Sequence, residues 1–196
     1  VDGPTPEIRR QLLDAALEAA TRHGLARLSM GDVARTAGLS RQTLYRYFPN
    51  KDALVAAVVE AETASLIATV TAAADGHDDP RDGLEAAFAA ALVATREHPL
   101  LDRLLRTEPE ALLPLLTSDA GPVMHQVRAV VEAVIAARLA DLDPTELRRL
   151  ADVVTRLLVS YAVAAPDDDP RLVASYVATF LTHGALGAPL TGGAPR

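Results

Sequence analysis

Cysteine is absent from the 196 residues, which excludes disulfides, thiolate metal sites and a cysteine nucleophile. Tryptophan is absent as well, and Lys51 is the only lysine among 19 basic residues. So strong a bias toward arginine makes the choice of Arg at any one position weak information. No uninterrupted apolar run reaches the ~18 residues needed to span a bilayer. Val1 to Arg10 holds no apolar stretch between a basic start and a cleavage site, so no signal peptide is expected. A soluble, cytoplasmic protein with no membrane partner is the default. Strand signals are nearly missing too, because Val and Ile do not alternate with polar residues between turns.

Catalytic signatures are equally scarce. There is no Gly-rich phosphate loop, no nucleophile elbow and no Ser/His/Asp pattern, so no enzyme is expected. The five histidines (His23, His77, His98, His125 and His183) show no metal-ligand spacing, and no metal or cofactor is expected. His77-Asp78-Asp79 is either a divalent-ion loop or, more simply, a solvated acidic turn. Asp167-Asp168-Asp169 is read as a solvated turn.

What is present is ordinary globular material, 49% hydrophobic and 23% charged, in which apolar residues recur at helical spacing. Ile8, Leu12, Ala15, Ala16 and Ala19 form one such stripe. The net charge of −7 hides a split. From Arg22 to Leu54 six basic residues face two acidic ones, +4, whereas from Val55 onward 11 basic face 20 acidic, −9. Such asymmetry suggests a local electrostatic footprint inside an acidic chain.

The spacing predicts an all-α chain of about nine helices. Thr5-Pro6 opens the first, which ends at Gly24. Ser29 caps a second, with Asp32 in capping-box position, and that helix ends at Gly38. Ser40 caps a third, which stops before Pro49. Asn50 caps a long fourth, to about Ala74. Others are expected over about Arg81 to Glu97, as two short helices around Glu108-Pro109, from Gly121 to Leu142, from Pro144 to Ala165, and from Leu172 to His183.

Ser29 to Phe48 carries the informative pattern, two short helices joined through Gly38-Leu39-Ser40. This is the layout of a helix-turn-helix. Val33, Ala34, Ala37 and Leu44 make its small buried face, and Leu39 plugs the gap. The third helix then presents Arg41, Gln42, Thr43, Tyr45, Arg46 and Tyr47. Three of the seven aromatics fall in this one turn. Arg and Gln suit base edges in the major groove, and hydroxyls suit phosphates. Lys51 opens the fourth helix, where the macrodipole disfavours a cation, so it either holds a phosphate or is simply solvated.

From Ile8 to Leu54 the chain resembles the DNA-binding domain of the tetracycline-repressor (TetR) family of bacterial regulators. The resemblance is carried by Leu12-Leu13-Asp14-Ala15-Ala16, Gly24, Ser29 to Val33, and Ala37-Gly38-Leu39-Ser40. Thr43-Leu44-Tyr45-Arg46-Tyr47-Phe48 and Lys51-Asp52-Ala53-Leu54 complete it. It implies a sequence-specific regulator of transcription, a ligand-responsive repressor acting as a homodimer on a palindromic double-stranded DNA operator. It implies that Ser29, Tyr45, Tyr47 and Lys51 lie at the DNA backbone, that Arg41 and Gln42 face bases, and that Thr43 touches either. Leu44 and Phe48 should be core, and Arg46 is expected to face solvent. Two departures stand out: Gln42 replaces a frequent Gly, and Met30-Gly31 replaces a pair that more often carries a polar or basic residue.

The resemblance also implies a division into a helix-turn-helix domain (1–50), a helical effector-binding and dimerisation domain (51–190) and a flexible tail (191–196). A small-molecule effector, largely apolar, is expected against Phe88, Leu92, Leu104, Leu105, Met124, His125, Arg128 and Tyr161, each of which has core packing as its other reading. Leu150, Val154, Leu157, Leu158, Tyr176 and Phe180 are expected at a dimer interface. The contrasting reading is a helical adaptor or ligand-binding protein without specific DNA readout.

Overall fold

The structure, a computed structural model, describes residues 5–110, 122–139, 142–164 and 167–186. All regular structure among them is helical, in nine helices. These are α1 (Pro6–His23), α2 (Met30–Thr36), α3 (Arg41–Tyr47), α4 (Lys51–Asp75), α5 (Pro80–Glu97), α6 (Pro99–Thr107), α7 (Pro122–Ala136), α8 (Pro144–Val163) and α9 (Pro170–Leu186). The tail at 191–196 and the second helix expected near Pro109 lie outside the described residues.

Several starts are made by the side chains the sequence offers. Ser40 accepts the Thr43 N–H at 3.0 Å, and Asn50 accepts the Ala53 N–H at 2.8 Å. Asp143 accepts from Thr145 and Glu146, which satisfies two donors that no helical carbonyl can reach. Ser29 occupies the N-cap of α2 but makes no side-chain bond, so the expected capping box is not formed. Asp32 instead pairs with Arg35 along the helix surface. α7 also ends earlier than expected, at Ala136. Its last turn tightens, with the Arg138 N–H on the Ile135 carbonyl, and the Arg138 guanidinium meets Asp75 at 3.2 Å.

Two compact units account for the packing. One comprises Val1–Ile67 with Ala94–Val127, the other Ala68–Val93 with Arg128–Arg196. The first is built on Leu12, Ala16, Val33, Leu44 and Leu54, all sealed from solvent. The second is built on Phe88, Leu92, Ile135, Ala151, Val154 and Ala174. Helix α4 runs through both. Its 18-residue window of mean hydropathy 1.7 meets the length and composition of a membrane span, and 22% of that window is buried. Glu60 and Glu62 interrupt its apolar character.

Candidate nucleic-acid interface

The helix-turn-helix is assembled from its buried floor. Val33 and Ala34 of α2 and Leu44 of α3 are fully enclosed, and Leu39 packs against them. The turn is closed by the backbone: the Leu39 N–H reaches the Ala34 carbonyl at 2.8 Å, and the Gly38 N–H reaches Arg35 at 3.0 Å. That pair of bonds needs a left-handed residue, and Gly38 supplies φ 65° without steric cost.

With Leu44 turned inward, α3 exposes its opposite side. Arg41, Gln42, Tyr45 and Arg46 are exposed, and Thr43 and Tyr47 are half-buried. Arg41 and Gln42 sit in the first turn with no ion-pair or hydrogen-bond partner among the described residues. Thr43 is partly committed, since its hydroxyl lies 2.8 Å from that of Ser40. Arg46 lies over the Tyr47 ring, 5.7 Å from its centroid.

Tyr47 has a second task. Its phenolic oxygen accepts the Thr5 N–H at 2.7 Å, which ties the start of α1 to the end of α3. Burial raises the Tyr47 pKa, but the Thr5 N–H and the neighbouring Arg46 outweigh it and leave the phenol below its ordinary value. With a lone pair engaged by Thr5, the Tyr47 O–H remains a donor for an anion.

Lys51 is not simply solvated. Its ammonium donates to the Ala26 carbonyl at 2.8 Å, bracing the loop between α1 and α2. The N–H of the same residue donates to Glu108, just past α6, at 3.0 Å. This loop therefore stands between a cation on its carbonyl and a carboxylate on its amide. Sequence gave no sign of the Glu108 contact, because its partners are 82 residues apart. An ammonium has three donors, so Lys51 keeps others after bonding Ala26. Ser29, exposed and without a capping bond, has its hydroxyl available.

The residues expected around an effector fall in different places. Phe88 and Leu92 are buried in the second unit, and Tyr161 packs against the same cluster. Leu104 is buried in the first unit with Leu105 against it. Met124 is buried, His125 is exposed, and Arg128 is held at 3.5 Å by Asp152. Two arginines, Arg156 and Arg128, keep the Asp152 carboxyl below its usual range; the Arg156 hydrogen bond leads, and partial desolvation opposes them. A cleft of about 270 Å³ in the first unit is lined by Arg9, Arg10, Asp14 and Glu62 among others, and contains none of the expected effector residues. Among the described residues no group of three His, Asp or Glu could hold a metal ion.

On the second unit, two apolar stripes face outward. Leu172, Tyr176 and Phe180 repeat every fourth residue of α9 and are 61%, 82% and 76% exposed. Val153 and Leu157, also four apart, are exposed on α8, and Val163 is partly exposed near its end. Of the residues expected at a dimer interface, Leu157, Tyr176 and Phe180 lie on these stripes. Val154 belongs to the unit's own core, and Leu150 and Leu158 pack against it. Val153 and Leu172, which the sequence reading missed, are on the outer face.

Comparison with known proteins agrees with this layout. Residues 12–58 match the family model for bacterial regulatory proteins of the tetR family. Residues 79–183 match the model for the bacterial tetracyclin repressor C-terminal domain. The HTH-type transcriptional repressor KstR of Mycolicibacterium smegmatis is 30% identical over 159 residues, covering 81% of this chain and 76% of KstR. The crystal structure of the TetR family repressor AlkX from Dietzia sp., implicated in biodegradation of n-alkanes, superposes with a TM-score of 0.71 at 24% identity. It covers 95% of this chain and 98% of that one. The FadR regulator of Bacillus subtilis, solved with stearoyl-CoA, gives a TM-score of 0.60 at 16% identity, over 89% and 98% of the two chains.

Proposed function

The chain belongs to the TetR family of bacterial transcriptional regulators, and from that premise we propose that two copies read a two-fold symmetric operator through α3 and release it when an apolar effector binds. It is a DNA-binding helix-turn-helix repressor and not an enzyme. The observation that carries the finer reading is the polarity of α3. Leu44 anchors one side in the core, and Arg41 and Gln42 stand exposed on the other without a hydrogen-bond or ion-pair partner among the described residues. Arginine and glutamine are the residue types that make paired hydrogen bonds to guanine and adenine edges.

In this reading Arg41 and Gln42 read bases, and Thr43 offers its methyl group to thymine while its hydroxyl stays on Ser40. Tyr45, the Tyr47 O–H, the Ser29 hydroxyl and a free donor of Lys51 hold phosphates, which sets the register without reading sequence. The +4 balance from Arg22 to Leu54 draws this part of an acidic chain to DNA. The stripes on α8 and α9 pair with those of a second copy, burying aromatic area that no single chain covers. Two recognition helices then address successive major grooves, about 34–36 Å apart.

The effector reading rests on the apolar surroundings of Phe88 and Leu92 and on the long-chain ligand of the FadR relative. A ligand shifts the balance of two states only by its differential affinity, typically ~1–3 kcal/mol. Selection of bound duplexes from a randomised library tests the reading. Enrichment of an inverted repeat with half-sites about one helical turn apart supports it. Enrichment of single half-sites, or of nothing, contradicts it.

A further inference from the structure

Gly31 stands in the first turn of α2, and the space where its side chain would be is filled from α3. A Cβ at Gly31 would stand 2.5 Å from a terminal nitrogen of the Arg41 guanidinium, 2.9 Å from its Cζ and 3.0 Å from its Nε. The guanidinium therefore lies across the backbone of α2. Nothing else holds it, since Arg41 has no carboxylate or carbonyl partner among the described residues. The helix does not require glycine here: Gly31 is not among the positive-φ glycines. A helical glycine that its φ does not demand weakens the helix relative to alanine, and a packing or functional reason is the usual explanation.

We propose that Gly31 is a specificity-determining residue: by carrying no side chain, it lets Arg41 lie across α2 and fixes the direction from which that guanidinium reads a base. The proposal rests on the reading that α3 enters the major groove. A free arginine side chain samples many rotamers, and its planar fork reads a guanine edge only in a narrow range of directions. Contact with the bare helix backbone removes rotamers before DNA arrives. A methyl group at Gly31 would push the guanidinium out by about 1 Å, enough to loosen a site that depends on placement. It would meet only the end of a flexible side chain, so the fold is retained.

The test compares wild-type protein, Gly31→Ala, Arg41→Ala and the double variant, each used to select from a duplex library with a randomised core. Thermal midpoints are measured alongside. Arg41→Ala should lose preference at one base pair of each half-site, by roughly tenfold or more. Gly31→Ala should lose preference at that same pair, with a midpoint no lower than wild type. The double variant should match Arg41→Ala alone. An unchanged profile for Gly31→Ala overturns the proposal, as does a Gly31→Ala effect that persists in full without Arg41. Should the wild-type protein enrich no sequence, the reading of α3 itself has failed and the proposal falls with it. That outcome is visible before any variant is compared.

Discussion

Replacing Gly24 with alanine should destabilise the first unit by about 2–4 kcal/mol, through two separable effects. Gly24 closes α1 at φ 86° and ψ 162°, a region essentially reserved for glycine, and an alanine held there costs about 1–3 kcal/mol. The new Cβ would also stand 1.7 Å from Oε1 of Glu108. That carboxylate must leave and abandon the Ala26 N–H, a partly exposed charged hydrogen bond worth about 1 kcal/mol. Glu108→Ala alone should lose only the second amount. Once Gly24 is alanine, removing Glu108 should cost almost nothing more, because the bond is already gone. Urea denaturation of the four proteins gives the cycle, read at constant m. The expected coupling is about 1 kcal/mol, with the double variant close to Gly24→Ala. Additive losses, or a Gly24→Ala cost below about 0.5 kcal/mol, would refute the view that the end of α6 clasps the loop leading into α2.

Gln42→Ala should lower affinity by about 1–3 kcal/mol at particular base pairs and leave others unchanged; a uniform loss on every duplex would rule out base reading. Lys51→Ala should weaken all sites alike and reduce the salt slope by about one unit. An unaltered slope would leave Lys51 with its Ala26 contact alone. Tyr176→Glu with Phe180→Glu should yield monomers in sedimentation and cost operator affinity, whereas an intact dimer would remove the α9 stripe from the interface. Asp143 has a lowered pKa, chiefly through the Thr145 N–H, with desolvation opposing and Glu146 assisting. A depressed folded-state pKa gives stability that is present above the unfolded value and lost as pH falls through the folded one. The gap in thermal midpoint between wild type and Asp143→Ala should therefore be full at neutral pH and close below the ordinary carboxylate range. A gap independent of pH would contradict the charged cap.

What could be read from the sequence was set by distance along the chain. Ser40, Asn50 and Asp143 bond residues two or three positions ahead, so their caps are visible in the order of letters. Gly38 and the inward Val33–Leu44 face are legible for the same reason. Local rules fail where a local alternative wins, as at the start of α2: the Asp32 carboxylate takes Arg35 along its own helix instead of reaching back to Ser29, and the Asp32 N–H goes to the Ser29 backbone carbonyl and not to its hydroxyl. They fail again where a distant group decides. Neither the Glu108 carboxylate on Ala26 nor the Thr5 amide on Tyr47 can be inferred from spacing. On α8 the apolar period was clear but broad. Only the packing shows that Val154 turns inward while Val153, one residue earlier, turns out. Gly31 was legible as a departure from the family pattern, but its reason lay in Arg41, on the next helix.

The most direct measurement is fluorescence anisotropy of the purified full chain with DNA from upstream of its own gene, against scrambled DNA, over a salt series. The account predicts at least about 10³-fold preference for the upstream DNA and a steep fall of affinity with salt. Equal, weak binding to both, repeated by a selection from genomic fragments that enriches nothing, would contradict it and leave a helical protein that does not read DNA.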